Sequence, residues 1–248
     1  TSSDGNISVT AWDISLLGSA TAGAGSIVAH GSQPSQTFGL GSTVQNMHIT
    51  DAELGRMTAA AGLTVGHSES GSMVVDGITD GNSDTIATLT LITTKHAKTV
   101  SFSNGASAFN KGMTIQAMGG IIMSAAVTTR SCPVVHRIGT GTLTVKSAAT
   151  FSSTNQLLTI TADDFDLLGG VSSGTATMII TPFSGDRTTS LGDTNVGLTI
   201  ADSELGLLDS STAINIGDSS AGNIEISGIT DGNSDTLGLL TLIAMKAG

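Results

Sequence analysis

Residues 77–85 read Gly-Ile-Thr-Asp-Gly-Asn-Ser-Asp-Thr, and the same nine residues recur at 228–236. The offset between them is 151 positions. At that offset residues 1–97 align with residues 152–248 without a gap, and 34 of the 97 pairs are identical. Connections between independent domains usually accept insertions. A gapless match of this length therefore indicates a stack in which each layer rests on the previous one.

The repeat also sets the expected domain organisation. We predict that residues 1–248 form a single continuous β-solenoid, with 1–151 as the first long repeat and 152–248 as a partial second one. Residues 98–151 have no counterpart within the chain.

Short strands dominate the local pattern. Segments such as Leu158–Thr161 and Leu198–Ile200 place apolar residues at i and i+2, which lie on one face of a strand, and Gly, Asn, Asp and Ser separate these segments. Two series recur at intervals of 20 residues, namely Val9, Ala29, Ile49 and Ile160, Ile180, Ile200. The sequence therefore predicts an all-β fold, a parallel β-helix of about 20–22 residues per coil. About seven coils would fill 151 residues, and eleven or twelve would fill the chain.

Composition excludes several classes of protein. The chain is 39% hydrophobic and 12% charged, with 32 Gly, no Tyr and one Trp, so it is not a disordered chain. No apolar run is long enough for a transmembrane helix, and we predict no membrane span. The single Cys132 excludes an internal disulfide framework and a cysteine-rich zinc site. We predict a small buried apolar role for it, with an intermolecular bridge as the alternative. The start at Thr1, without Met or a leader, predicts a mature or excised segment.

Three segments resemble the repeat regions of filamentous haemagglutinin-like and other large β-helical adhesins. They are Leu-Thr-Ile-Thr-Ala-Asp-Asp-Phe-Asp-Leu at 158–167, Leu-Thr-Ile-Ala-Asp-Ser-Glu-Leu-Gly at 198–206 and Gly-Asn-Ile-Glu-Ile at 222–226. The resemblance is one of pattern and extends over nearly the whole chain. It implies a secreted protein, a long right-handed solenoid and a role in adhesion or surface structure.

Charge is distributed in bands. Residues 1–84 carry a formal charge of −7, residues 85–162 of +6 without a single acid, and residues 163–248 of −10. In a solenoid these segments become successive bands along the axis. We expect the basic band either to set the register between neighbouring copies or to bind an anionic polysaccharide, unless it is merely a less acidic face. Six basic residues with three phenylalanines over 78 positions form neither a dense basic patch nor a stacking platform, so no nucleic-acid partner is predicted.

Two turns place oxygen ligands as at the start of a calcium loop: Asp80, Asn82, Asp84 and Asp231, Asn233, Asp235. The calcium loop pattern breaks at Thr85 and Leu91, and a turn capped by its own side chains explains the run equally well. The sequence leaves calcium open, and we predict no metal site.

No other group of residues completes a catalytic or cofactor site. Asp163, Asp164 and Asp166 could serve as paired carboxylates, but only one acid stands at the matched positions of the first copy. The five histidines share no metal-ligand spacing, and we expect them at surface or turn positions: His30, His48, His67, His96 and His136. Asn6-Ile7-Ser8 is the one glycosylation sequon, relevant only in a secreted eukaryotic protein.

These observations favour a structural protein over an enzyme. We predict an extracellular or cell-surface β-solenoid that associates with copies of itself into a filament, fibre or surface layer, without catalytic residues or cofactors. The alternative is an adhesin stalk or carbohydrate-binding module. An ice- or crystal-binding solenoid would need a regular Thr array, and Thr-x-Thr is sporadic here.

Overall fold

The computed structural model describes residues 4–245, and these residues form an all-β structure. The strands are β1 Ile7–Ala11, β2 Ala20–Thr21, β3 Ile27–Gly31, β4 Phe38–Gly41, β5 Met47–Ile49, β6 Met57–Thr58, β7 Leu63–Gly66, β8 Met73–Asp76, β9 Leu89–Thr93, β10 Val100–Phe102, β11 Ser107–Phe109, β12 Met113–Ala117, β13 Gly120–Met123, β14 Val127–Thr129, β15 Val134–Val145, β16 Thr150–Ser152, β17 Leu158–Leu167, β18 Gly170–Gly174, β19 Met178–Thr181, β20 Thr189–Gly192, β21 Leu198–Ile200, β22 Leu208–Ser210, β23 Ile214–Asp218, β24 Ile224–Ser227 and β25 Leu240–Ala244. The helices are single turns: α1 Asp51–Leu54, α2 Asp202–Leu205, α3 Asp231–Ser234 and a 3-10 turn at Asp80–Asn82. No helix among the described residues has the length and apolar character needed to cross a membrane.

Every strand pair in the described part of the chain is parallel, and the strands line up in three ladders. The first ladder runs β1, β3, β7, β9, β12, β15, β17, β19, β23, β25. The second contains β5, β4, β8, β10 and β13, continues into the far halves of β15 and β17, and resumes as β21, β20, β24. The third is β11, β14, β16, β18, β22, with β2 and β6 as a separate pair. This arrangement confirms the predicted all-β, parallel-strand character.

The layers are unequal in length. In chain order, one inward position of the first ladder is occupied by Val9, Ala29, Val65, Leu91, Ile115, His136, Ile160, Ile180, Ile216 and Leu242. The intervals are 20, 36, 26, 24, 21, 24, 20, 36 and 26 residues, so the predicted uniform interval of 20–22 residues is wrong. Ten layers replace the expected eleven or twelve, and six replace seven in each 151 residues. Strand pairing fixes only the paired residues, and the connections between strands differ in length.

The 36-residue layers contain an additional strand. Strand β5 pairs in parallel with β4, the strand just before it in the chain, with Met47 beside Phe38. The return segment 42–46 passes over β4 at Gly39, where a Cβ atom would lie 2.0 Å from the Thr43 carbonyl oxygen. In the second copy β21 pairs with β20 in the same way. This strand explains why Ile49 and Ile200 leave their 20-residue series: they pair with Leu40 and Leu191 in the second ladder.

A single hydrophobic core connects all the layers. Its buried members extend without a break along the chain from Ala22 to Ile216, and Phe38, Phe102, Phe109 and Phe151 are its largest fully buried side chains. Because inward and outward side chains alternate along each strand, the core is built mainly from ladders of Ile, Leu, Val and Met.

Candidate functional site

The nine-residue motif at 77–85 is hydrogen-bonded to the preceding layer, and we call this set of contacts a clamp. The Asp51 carboxylate, at the start of α1, accepts hydrogen bonds from the Thr79 N–H (2.9 Å), the Thr79 hydroxyl (2.8 Å) and the Asn82 amide nitrogen (2.8 Å). A Cβ atom at Gly55 would lie 2.3 Å from the Asn82 amide oxygen, which explains the glycine. The second copy repeats the bonds with its matched residues, Asp202, Thr230 and Asn233.

This clamp accounts for the turns that resembled calcium loops. Asp80 pairs with the Arg130 guanidinium at 3.1 Å, Asn82 donates to Asp51, and the Asp84 carbonyl accepts from Lys111 Nζ. In the second copy Asp231 and Asp235 are exposed, and Asn233 is engaged by α2. Within residues 4–245 no group of three or more His, Cys, Asp or Glu side chains is placed to hold a metal ion.

A second clamp reaches back to the preceding layer through Glu53. Its carboxylate accepts hydrogen bonds from the Leu16 N–H (2.8 Å), the Thr50 N–H (2.9 Å) and the Thr50 hydroxyl (2.8 Å). Burial raises the pKa of Glu53, but the hydrogen bonds from Thr50 and Leu16 outweigh it and hold the pKa below its ordinary value. The charged carboxylate is therefore the form that this site favours.

The matched Glu204 in the second copy behaves in the opposite way. It accepts from the Leu167 N–H and the Ala201 N–H, both at 2.8 Å, but Ala201 has no hydroxyl to donate. Burial raises the pKa of Glu204, and the nearby charges of Asp164 and Asp166 raise it further. The same position thus shifts the carboxyl pKa in opposite directions in the two copies.

The carboxylates of Asp163 and Asp166 lie in different surroundings. Asp163 is buried and accepts from two backbone N–H groups and from the Ser184 hydroxyl, with Arg187 Nε at 3.7 Å. Asp166 faces outward and pairs with Lys146 at 3.3 Å. Asp163 therefore stabilises a corner of the fold rather than facing a substrate.

The expectation that all five histidines lie at surface or turn positions is wrong for His136. Its side chain is fully buried in the first ladder, its ring packs edge-on against Phe151, and burial lowers its pKa to about 3. Of the others, His96 is exposed, His48 Nε2 lies 2.7 Å from the Gly41 carbonyl, and the rings of His30 and His67 touch edge-on.

Two further single residues lie in turns or at the surface. Cys132 is only partly buried, so the prediction of a buried apolar role is wrong: its N–H donates to the Arg130 carbonyl in a turn before β15. Asn6 is exposed, and its side-chain oxygen accepts from the Ser26 N–H and hydroxyl. Its glycosylation stays a prediction.

Ion pairs join the predicted charge bands to one another. Lys95 pairs with Glu69 and Arg130 with Asp80 in the first acidic band, and Lys146 pairs with Asp166 in the second. Half of the six cations of the basic band are therefore neutralised within the chain. The roles of this band in register or in polysaccharide binding stay predictions.

The ends of the ladders expose inward-type apolar residues. At the C-terminal end, the exposed fraction is 56% for Ile226 and 36% for Leu240, although the matched first-copy residues are buried, Val75 at 0% and Leu89 at 4%. In the first copy the matched strands also pair with β10 and β12, whereas within residues 4–245 β24 and β25 pair only with β20 and β23.

The N-terminal strand β1 is also less buried than its counterpart in the second copy. Strand β1 pairs only with β3 within the described residues, and its inward Ile7 and Ala11 are partly buried, whereas the matched Leu158 and Ala162 are fully buried. Sequence reasoning missed both edges. The signal was present, because the 151-residue offset tells which segment covers each edge in the other copy.

Comparison of the chain with protein-family models, with curated proteins and with solved structures finds no match. The resemblance to large adhesins therefore stays a prediction.

Proposed function

We propose that the chain is a parallel β-solenoid that serves as a structural building block outside the cell, elongating end to end into a fibre or surface layer. The observation that carries the proposal is the all-parallel stacking of strands over one continuous core, in a pattern that recurs at an offset of 151 residues. The extracellular setting and the adhesin-like alternative rest on the pattern resemblance alone.

Strand direction favours head-to-tail addition. Because all ladders are parallel, a second copy placed beyond β25 would present its own β1 in the same strand direction. Inward-facing apolar side chains of the two copies would then lie side by side, with Leu240 beside Ile7 and Leu242 beside Val9. Such a contact joins two different surfaces, leaves each end open again, and generates a filament rather than a closed dimer.

The test uses one blocked edge at a time. Leu242→Lys places an inward charge at the C-terminal edge, Val9→Lys does the same at the N-terminal edge, and Thr241→Lys is the matched control because its side chain points outward. Sedimentation and negative-stain microscopy should show polymers for the unaltered chain and the control. Each blocked variant alone should be monomeric.

A mixture of the two blocked variants gives a more specific test of head-to-tail contact. Leu242→Lys retains an open N-terminal edge and Val9→Lys an open C-terminal edge, so an equimolar mixture should yield a dimer and nothing longer. A monomeric unaltered chain, or blocked variants that still polymerise, would contradict end-to-end assembly. A far-UV spectrum dominated by helix would contradict the solenoid itself.

A further inference from the structure

A groove lies at the corner where the first ladder ends, in the middle of the chain. Its volume is about 160 Å³. It is lined by Thr94, Gln116, Ala117, Met118, Arg137, Gly139 and Phe183. The register between β15 and β17 shifts on both sides of Gly139, and a Cβ atom there would lie 2.2 Å from the Met118 sulfur. The irregular strand and its glycine thus shape the groove, as β-bulges often do beside binding sites.

The groove contains an unpaired cation. The Arg137 side chain is exposed, and its guanidinium makes no hydrogen bond or ion pair with any residue between 4 and 245. Lys98 is the one other cation of the basic band without a side-chain partner in this range, and its carbonyl accepts from the Gly119 N–H, next to Met118. Both free cations of the band therefore lie at the same corner.

The lining of the groove also includes an exposed aromatic side chain. Phe183 is 43% exposed, and the matched residue of the first copy is Ser32, so the aromatic side chain belongs to this corner alone. None of the lining residues is acidic, although the chain carries a formal charge of −11. A ligand that fits must combine a negative charge with an apolar face and must accept hydrogen bonds.

We propose that this groove binds a sugar ring that carries a carboxylate, as one unit of an anionic polysaccharide. The planar guanidinium of Arg137 can hold a carboxylate with two parallel hydrogen bonds. The C–H face of a pyranose ring can pack on Phe183, and Gln116 and Thr94 can bond its hydroxyls. Binding here is independent of end-to-end assembly, because the groove lies away from both edges.

The layers extend the groove along the stack. Its lining comes from the layers of β9, β12 and β15 and from the segment after β19, so that it crosses about four strand spacings, roughly 19 Å. A linear chain of three or four sugars has this length. We therefore test a short linear oligomer, whose other units would extend along the stack.

The experiment measures binding of a linear trimer of galacturonate by calorimetry at low salt. Its fully methyl-esterified form is the ligand control, because esterification removes the charge and leaves the protein unaltered. Arg137→Gln should weaken binding at least tenfold and Phe183→Ser three- to tenfold. Arg130→Gln is the matched control, because that arginine is exposed and already paired with Asp80; its affinity should stay within twofold.

Both groove residues are exposed, so unchanged melting temperatures will show that the variants fold. The proposal is overturned if the unaltered chain does not bind the trimer, or if the ester binds as well as the acid. It is also overturned if Arg130→Gln weakens binding as much as Arg137→Gln, which would indicate a diffuse response to charge. Tight binding of a sulfated oligosaccharide with none of the galacturonate trimer would equally refute the carboxylate assignment.

Discussion

His136 should make the fold sensitive to mild acid. The ring lies between Ile115 and Ile160 in the first ladder, and neither ring nitrogen has a hydrogen-bond partner among the described residues. Burial lowers its pKa from 6.5 to about 3. As the pH falls below 6.5 the unfolded chain takes up a proton that the folded chain does not. His136 therefore does not lower the free energy of unfolding above pH 6.5, and it lowers it progressively as the pH falls from 6.5 toward 3.

The size of the effect follows from the shift. Each pKa unit corresponds to about 1.4 kcal/mol, so the loss is about 2 kcal/mol at pH 5 and about 4 kcal/mol at pH 3. His136→Leu replaces the ring with an apolar side chain of similar volume. At pH 7 this should stabilise the fold by about 1–3 kcal/mol, because a buried polar group without partners is removed.

The assay is urea unfolding, followed by far-UV circular dichroism, for both proteins at pH 7 and pH 5. The carboxylates titrate alike in both proteins, so their effect cancels when the two free energies of unfolding are subtracted. The excess stability of His136→Leu over the unaltered chain should therefore grow by about 2 kcal/mol between pH 7 and pH 5. His96→Leu, at an exposed position, is the control and should show no such growth. An equal difference between His136→Leu and the unaltered chain at both pH values would refute the reasoning.

Three further predictions concern the contacts between layers. Gly55→Ala should destabilise the fold by about 1–3 kcal/mol in urea unfolding, because its Cβ atom would collide with the amide of the 3-10 turn. Ala201→Thr should lower the pKa of Glu204 in an NMR titration, since the new hydroxyl can donate to the carboxylate; an unchanged or higher pKa would contradict this. Arg187→Gln should cost about 2 kcal/mol at pH 7, because Asp163 loses its cation while remaining buried, and a neutral outcome in thermal unfolding would count against that role.

The sequence predicted the class of fold because alternation and turn residues are local properties. The strands at Leu158–Leu167 and Leu198–Ile200 were recognisable from apolar residues at i and i+2, and they pair in parallel as expected. The uniform interval failed because α1 and the additional strand β5 sit within connections, whose length no pairing constrains. The 20-residue spacing was taken from two short layers, Val9 to Ala29 and Ile160 to Ile180, which do not represent the others.

Individual sites were less predictable, for two different reasons. His136 was missed although the signal was available: Val134 and Ile138 flank it at i−2 and i+2, and both are buried. The groove had no such signal. Arg137 and Phe183 are 46 positions apart, and only the folded layers bring them to one corner.

The additional strand in the second ladder has a consequence for the shape of anything built from this unit. Over one 151-residue repeat the first ladder stacks six strands, whereas the second stacks seven, and its pairing is interrupted between β17 and β21. At a strand spacing of about 4.8 Å, one side gains that length per repeat across a core about 10 Å thick. If the stack accommodates this difference in length by curving, its long axis bends by roughly 25° per repeat. A fibre of such units would follow an arc or a superhelix, with the first ladder on its inner side.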